Sequence, residues 1–328
     1  MVGSALRGRS VMVTGATGFL GSHLVRVLVE EAGAQVHVLV RPGSSARRLK
    51  PLGDRIVRWQ GDVADRASLR GGLAEARPRT LFHLAGDTTG RSRRGWEAVE
   101  RGIEVNLLGT LNLLRAVTET DAAVEVMIRL GGLEEYGGGP VPYSEDQREQ
   151  PSSPYSASQV ATTHYCQMLQ RDLPFALLTL RPALVYGPDQ SPDFLIPGLT
   201  VACLSGRPFA MTDGGQTRDL LYVDDLVAAL LLAATRRDLS GAVLNLSGGR
   251  EYVVREVAEE IARLAGTPEL LRVGSALERP GELYRLLGSG KLADEALGWR
   301  PRTGLLDGLR RTVEWYREHL SLFEGARP

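Results

Sequence analysis

The sequence predicts an α/β protein, a doubly wound parallel sheet followed by a smaller C-terminal α/β domain, and three observations predict it. Short β-branched runs alternate with amphipathic stretches through the first half of the chain. Gly15, Gly18 and Gly21 sit where the first run gives way to the first amphipathic stretch. After "FALLTLRPALVYGP" that rhythm breaks into short strands and helices joined by Gly/Pro-rich loops such as "LERPGELY".

Taken in order, "SVMVTG" reads as the first strand and residues 19–32 as the first helix. "AQVHVLV", "RIVRWQ", "RTLFHLAG" and "VEVMIRL" read as further strands, with helices at 65–74, 95–118 and 155–171 between or after them. Strands separated by helices pair in parallel and need helices on both faces. Residues 1–180 therefore form the expected sheet domain, rejoined by about 213–235. Residues 181–328 are expected to be mainly a second domain, with short strands "RPFAM" and "AVLNLS" and helices near 224–235, 253–265 and 305–318. That domain is placed over the carboxyl ends of the sheet, where open α/β folds bind ligands.

With 43% hydrophobic residues among 328, the chain can bury a large core. Lys plus Arg and Asp plus Glu both number 39, so net charge is zero, which argues against nucleic acid or a membrane surface as partner and for a small molecule. Cys166 and Cys203 lie in apolar helical patterns and read as buried thiols, not as a disulfide or a metal site. "MVGSALRGRS" at the start lacks the apolar run of a signal peptide, and no apolar stretch reaches membrane length, so a cytoplasmic protein is expected.

The loop "TGATGFLGSHL" spaces its glycines as G-x-x-G-x-x-G between strand and helix. Such a loop lets backbone approach a pyrophosphate, which the helix N-terminus then favours through its N–H groups and dipole. At the end of the second strand, Val40 and Arg41 stand where an acidic residue would accept from an adenine ribose 2′-OH. An arginine there suits a 2′-phosphate, so NADP(H) is favoured over NAD(H). Arg47 and Arg48 read as solvated surface charges.

Further motifs follow: "GDV" with Asp62 and Val63, "HLAG" with Leu84, Ala85 and Gly86, "VNLLGT" with Asn106, "SPYSAS" with Tyr155, "RPALVYGP" with Arg181, Pro182 and Tyr186, "GGQTRDLLYVDD" with Arg218, "RPGE" with Arg279, and "KLADEALGWRP". With the glycine loop they resemble, nearly end to end, the extended short-chain dehydrogenase/reductases, the epimerase/dehydratase family that modifies nucleotide-activated sugars. The resemblance implies a Rossmann fold and a dinucleotide held by Gly15, Thr17, Gly18, Phe19, Leu20, Gly21, Arg41, Asp62, Val63, Leu84, Ala85, Gly86, Asn106, Tyr155, Gln159 and Pro182. It implies a nucleotide-sugar substrate gripped at its pyrophosphate by Arg218 and Arg279, with Tyr186 nearby. It also implies a homodimer through helices 95–118 and 155–171.

In that family a tyrosine moves the hydroxyl proton, a lysine four residues on stabilises tyrosinate, and a Ser or Thr on the fifth strand binds the reacting oxygen. Here Tyr155 is kept, Gln159 replaces the lysine, and Gly132 falls at the hydroxyl position. A unit charge at about 5 Å and an effective dielectric of about 20 is worth roughly 3 kcal/mol, or about two pKa units. Without it Tyr155 is expected to titrate near 10. Oxidation of a hydroxyl, which needs a base, is thereby disfavoured relative to work on a sugar that already carries a ketone. Glu134 falls where dehydratases and decarboxylases of the family carry a proton-handling glutamate, and its alternative is a solvent-facing side chain. Arg129, on the strand face opposite Gly132, is expected to form a salt bridge to a neighbouring helix. Two functions follow: an NADP(H)-dependent enzyme on a nucleotide-linked keto-deoxy sugar, with Tyr155, Glu134 and Gln159 at its centre, or a catalytically silent nucleotide-sugar or dinucleotide binder.

Overall fold

Alternation along the first apolar run decides the layering of the whole molecule. In the computed structural model, which describes residues 5–91, 95–120, 122–277 and 282–323, that run is strand β1 (Ser10–Thr14). Val11 and Val13 enter one hydrophobic core, while Met12 between them enters a second on the other face. The same alternation recurs in β4 (Thr80–His83), β5 (Val126–Leu130) and β6 (Ala176–Pro182): Phe82, Ile128 and Leu178 join the first core, Leu81, Met127 and Leu177 the second. A sheet buried on both faces needs such unbroken apolar runs.

With β2 (Gln35–Val40), β3 (Ile56–Gln60) and β11 (Val243–Leu246), these strands form a seven-stranded sheet in the order β11-β6-β5-β4-β1-β2-β3. Every neighbouring pair is parallel. The order reverses between β1 and β4, so a crevice opens beyond their carboxyl ends. The expectation put "AVLNLS" in the small domain. Instead β11 extends the main sheet beside β6, because its residues are buried on both faces and helix α7 (Val223–Ala233), packed on α1 (Phe19–Glu30), returns the chain there.

On the other face α2 (Arg66–Ala76) packs against α4 (Gly109–Glu119), with Leu69, Leu73, Leu113 and Val117 buried between helices and sheet. The single helix expected at 95–118 is present, with one internal change of hydrogen-bond register. It runs as α3 (Trp96–Gly102), a π-helical stretch Ile103–Leu108 carrying Asn106, and then α4. Helix α5 (Pro154–Leu169), expected at 155–171, starts on a local cap: Ser153 accepts from the Ser156 N–H at 3.0 Å and Pro154 occupies the first turn.

The smaller unit contains the paired strands β7 (Leu184–Tyr186) with β10 (Leu220–Tyr222), β8 (Phe209–Ala210) with β13 (Leu271–Arg272), and β9 (Thr217–Arg218) with β12 (Tyr252–Val253) and β14 (Arg285–Leu286). Helices α6 (Leu195–Leu204), α8 (Val254–Ala265) and α10 (Leu305–Glu318) pack on one another around Leu199, Ile261 and Leu309. The short helix α9 (Lys291–Leu297) lies against β11. Cys166 and Cys203 are free and buried, as expected. Among the described residues no helix is long and apolar enough to cross a membrane.

Candidate functional site

The glycine loop forms a cradle whose walls are backbone. Gly15 has φ +70°, and a Cβ on it would stand 2.5 Å from Ala85 N and from Leu84 C. The loops after β1 and β4 thus touch main chain to main chain at the switch point, which only glycine permits. A Cβ on Gly21 would stand 2.2 Å from Gly15 O, so helix α1 also closes on the loop without room for a side chain. Gly18 caps α1 with no side-chain hydrogen bond, leaving first-turn N–H groups available to an anion. Thr17 and Leu20 are half-buried beside it, and Phe19 packs edge-on against His23.

Two buried histidines brace this cradle. His83 Nδ1 meets Thr14 Oγ1 at 2.7 Å and its Nε2 meets Thr110 Oγ1 at 2.9 Å, and burial, with Arg129 adding, lowers its pKa to about 3. His23 Nε2 lies 2.9 Å from Pro188 O, and burial lowers its pKa to about 4. Both are neutral at pH 7.

The other expected cofactor residues lie along the same carboxyl edge, with one difference in role. Arg41 is exposed just beyond β2. Asp62 accepts from Ala64 N at 3.0 Å beyond β3, Val63 is buried next to it, and Pro182 ends β6. Asn106 spends its side chain internally: its Oδ1 accepts from Asp87 N at 2.7 Å, and Nδ2 donates to Asp87 O at 3.1 Å and Ser158 Oγ at 2.8 Å. It therefore holds the loop after β4 against α5. Arg47 is exposed as expected but pairs with the buried Asp189, whereas Arg48 is drawn in: it pairs with Asp189 and donates to Thr17 O at 3.2 Å, tying the cradle to the segment after β7.

Tyr155, in the first turn of α5, is buried, and its hydroxyl accepts from Arg91 Nη2 at 3.2 Å. The same guanidinium pairs with Glu134 at 2.8 Å and stands over the Tyr155 ring at 4.5 Å. Glu134 thus faces inward, beside the phenol, instead of outward to solvent. A Cβ on Gly132 would lie 3.8 Å from Tyr155 Oη, so this position borders the phenol and offers it no side chain. Burial raises the Tyr155 pKa above 10, Arg91 opposing and Glu134 adding. The sequence expectation of a value near 10 is corrected upward, because desolvation of the anion outweighs the arginine.

Gln159, one turn along α5, is buried, and both its side-chain and backbone oxygens accept from Arg129 Nη2, the latter at 3.2 Å. Because a guanidinium only donates, the amide must offer it Oε1, which turns Nε2 toward Gly86. Arg129 also donates to Thr163 Oγ1 at 2.9 Å. The expected contact with a neighbouring helix is present, but through neutral acceptors: no described carboxylate pairs with Arg129. Thr163 in turn donates to Glu135 at 2.8 Å, and Arg181 donates to Glu135 and Glu149, each at 2.7 Å. Gly131 makes room for Glu135, whose Oε1 a Cβ there would meet at 2.0 Å.

On the opposite wall, Arg218 pairs with Glu282 at 2.7 Å, and burial lowers its pKa while Glu282 and Glu134 pull it back, so its field reaches the Tyr155 centre. Tyr186 does not line the cleft as expected. It is buried against Tyr222, with its hydroxyl 3.3 Å from Leu305 O, because α10 packs directly on it at Gly308. Arg279 lies outside the described residues. Sequence reasoning missed Arg91, Asp87 and Glu135. Only the glycine before Arg91, in "TTGR", hinted that this segment approaches another backbone closely.

Comparison with known proteins agrees with this geometry. The UDP-glucose 4-epimerase of Mycolicibacterium smegmatis is 33% identical over 313 residues, covering 93% of this chain and 98% of that protein. The dTDP-glucose 4,6-dehydratase of Neisseria gonorrhoeae is 31% identical over 343 residues, covering 95% of this chain and 96% of that protein. Among solved structures, a dTDP-glucose 4,6-dehydratase of Streptomyces venezuelae with NAD bound matches at a TM-score of 0.87 and 28% identity, over 97% of this chain and 99% of that one. Residues 11–247 match the NAD dependent epimerase/dehydratase family, and with a parallel sheet in this order and a backbone cradle at its switch point, the chain belongs to that family of extended short-chain dehydrogenase/reductases.

Proposed function

We propose that the protein is an NADP(H)-dependent enzyme that reduces, isomerises or epimerises a nucleotide-linked keto-deoxy sugar. One observation carries this reading: a buried, protonated phenol and a carboxylate share one guanidinium at the edge of a cradle that fits a dinucleotide. The fit rests on Gly15 and Gly21, where a Cβ would collide with the backbone that shapes the loop, and on the first-turn N–H groups of α1 that the loop leaves uncapped by a side chain. When bound, the nicotinamide supplies or accepts hydride. Tyr155, neutral at pH 7 because burial holds it above 10, donates a proton to a carbonyl oxygen. Glu134 removes a proton from the carbon beside that carbonyl. Gln159 Nε2, facing Gly86, holds a ribose hydroxyl. The unit beyond residue 181 supplies Arg218 to the substrate pyrophosphate.

Arg41 and the absence of an acid at the end of β2 favour the 2′-phosphorylated dinucleotide. Calorimetric titration is expected to give tighter binding of NADP+ than NAD+, with Arg41→Ala narrowing the gap. Equal affinities reject the preference. Exposed Trp96, Ile103, Leu108, Tyr165 and Met168 on α3 to α5 support a homodimer through these helices. Light scattering at micromolar concentration reads its mass.

Activity is tested by NADPH consumption with UDP- and dTDP-linked keto-deoxy sugars, wild type against Tyr155→Phe. Turnover lost about 10²- to 10⁴-fold in the variant supports the assignment. Tight ligand binding with no turnover on any sugar identifies a silent binder instead.

A further inference from the structure

The segment that carries Arg91 is built to bring it to Tyr155. Asp87 accepts from Thr89 N at 2.8 Å and Thr89 Oγ1 at 2.6 Å, and Arg101 on α3 donates to its other oxygen at 3.0 Å. Asn106 holds the Asp87 main chain from the π-helical stretch. Gly90 is buried, and a Cβ on it would stand 2.9 Å from Tyr155 N. The loop is thus pressed onto the first turn of α5, and the next side chain has one place to go.

We propose that Arg91 is the positioning cation of this site: it sets the acidity of the Tyr155 hydroxyl and clamps Glu134 beside it, where position 159 supplies no charge. Its guanidinium meets three features at once, the phenol oxygen at 3.2 Å, the phenol ring at 4.5 Å and the Glu134 carboxylate at 2.8 Å. One nitrogen, Nη2, makes both oxygen contacts, so phenol and carboxylate share a single charged donor group. Only 29% of the Arg91 side chain is exposed, so the pair with Glu134 is not a solvated surface contact. Among the described residues, the charged groups that act most on Tyr155 are Arg91, Glu134 and Glu135. Arg101 is engaged by Asp87 and Glu104, and Arg129 by Gln159 and Thr163. Among the described residues Arg91 is therefore the cation in contact with the phenol, and it favours tyrosinate while both carboxylates oppose it.

The inference rests on Tyr155 being the proton donor, but its test does not need turnover. Tyrosine labelled with ¹³C at Cζ is titrated by NMR, with Tyr155→Phe assigning the resonance. Arg91→Met is expected to raise the Tyr155 pKa by about one to two units, and Arg91→Lys to restore most of that shift. Glu134→Gln is expected to lower it, which brings the titration into range, so Arg91→Met is repeated in the Glu134→Gln background. An unchanged or lower Tyr155 pKa in Arg91→Met in that background, or no rescue by Arg91→Lys, overturns the inference. Coupling without turnover on any sugar would reject the proposed function alone. Turnover without coupling would reject the role of Arg91 alone.

Discussion

The glycine cradle and the charged centre around Tyr155 share one edge of one sheet, yet they are made of different materials. The cradle is main chain against main chain: Gly15 against Leu84 and Ala85, Gly21 against Gly15. The centre is side-chain charge gathered from distant segments: Arg91 after β4, Arg129 on β5, Glu134 and Glu135 after β5, Arg181 on β6. A backbone site fixes residue identity, because any Cβ collides. A charge site fixes only the sum of its fields, so a cation on another segment can serve, which is the role proposed for Arg91.

If the comparison holds, the largest loss of stability comes from the charged side. Arg181→Met leaves Glu135 and Glu149 without their cation, and is expected to cost about 3–5 kcal/mol in urea unfolding. Dinucleotide affinity per folded molecule should stay within about twofold. A small stability change would mean the buried network carries little. On the cradle side, Gly15→Ala is expected to lower dinucleotide affinity about 100-fold, roughly 2.7 kcal/mol by calorimetry. Wild-type affinity in this variant would remove the main-chain argument.

Acid should act on the cradle through His83. Its folded pKa of about 3 lies below the unfolded value near 6.5, so the unfolded state binds the proton first. The stability concerned is fully present above pH 6.5 and is lost as pH falls toward 3, about 1.4 kcal/mol per unit, or roughly 2 kcal/mol by pH 5. His83→Asn should flatten that part of the stability profile, and an unchanged slope would place the acid sensitivity elsewhere. The smallest expected effect sharpens the contrast. Gln159→Lys sets an ammonium beside Arg129 and removes its acceptor, at a cost of about 1–2 kcal/mol. Adding Arg129→Met should recover most of it. No recovery would show that the two positions are not coupled.

What the sequence by itself determined is whatever neighbours along the chain enforce. Period-two apolar runs set the strands and their two cores, Ser153 and Pro154 set the start of α5, and the glycine spacing set the cradle. In each case the partners lie within a turn or a strand, or the collision involves backbone that any side chain would meet. The tertiary structure decided the rest. β11 left the small domain for the main sheet, the expected long helix gained a π-helical stretch, Tyr186 went into the core, and Glu134 turned inward. Arg91 reaches Tyr155 across 64 residues of sequence, and Arg129 reaches Gln159 across 30. Arg129 stands out as a charge within an apolar strand, but nothing local marks Arg91 as a partner of Tyr155 in so arginine-rich a chain. Their role is a matter of field and distance, and both exist only once the loops after β4 and β5 have been brought against α5.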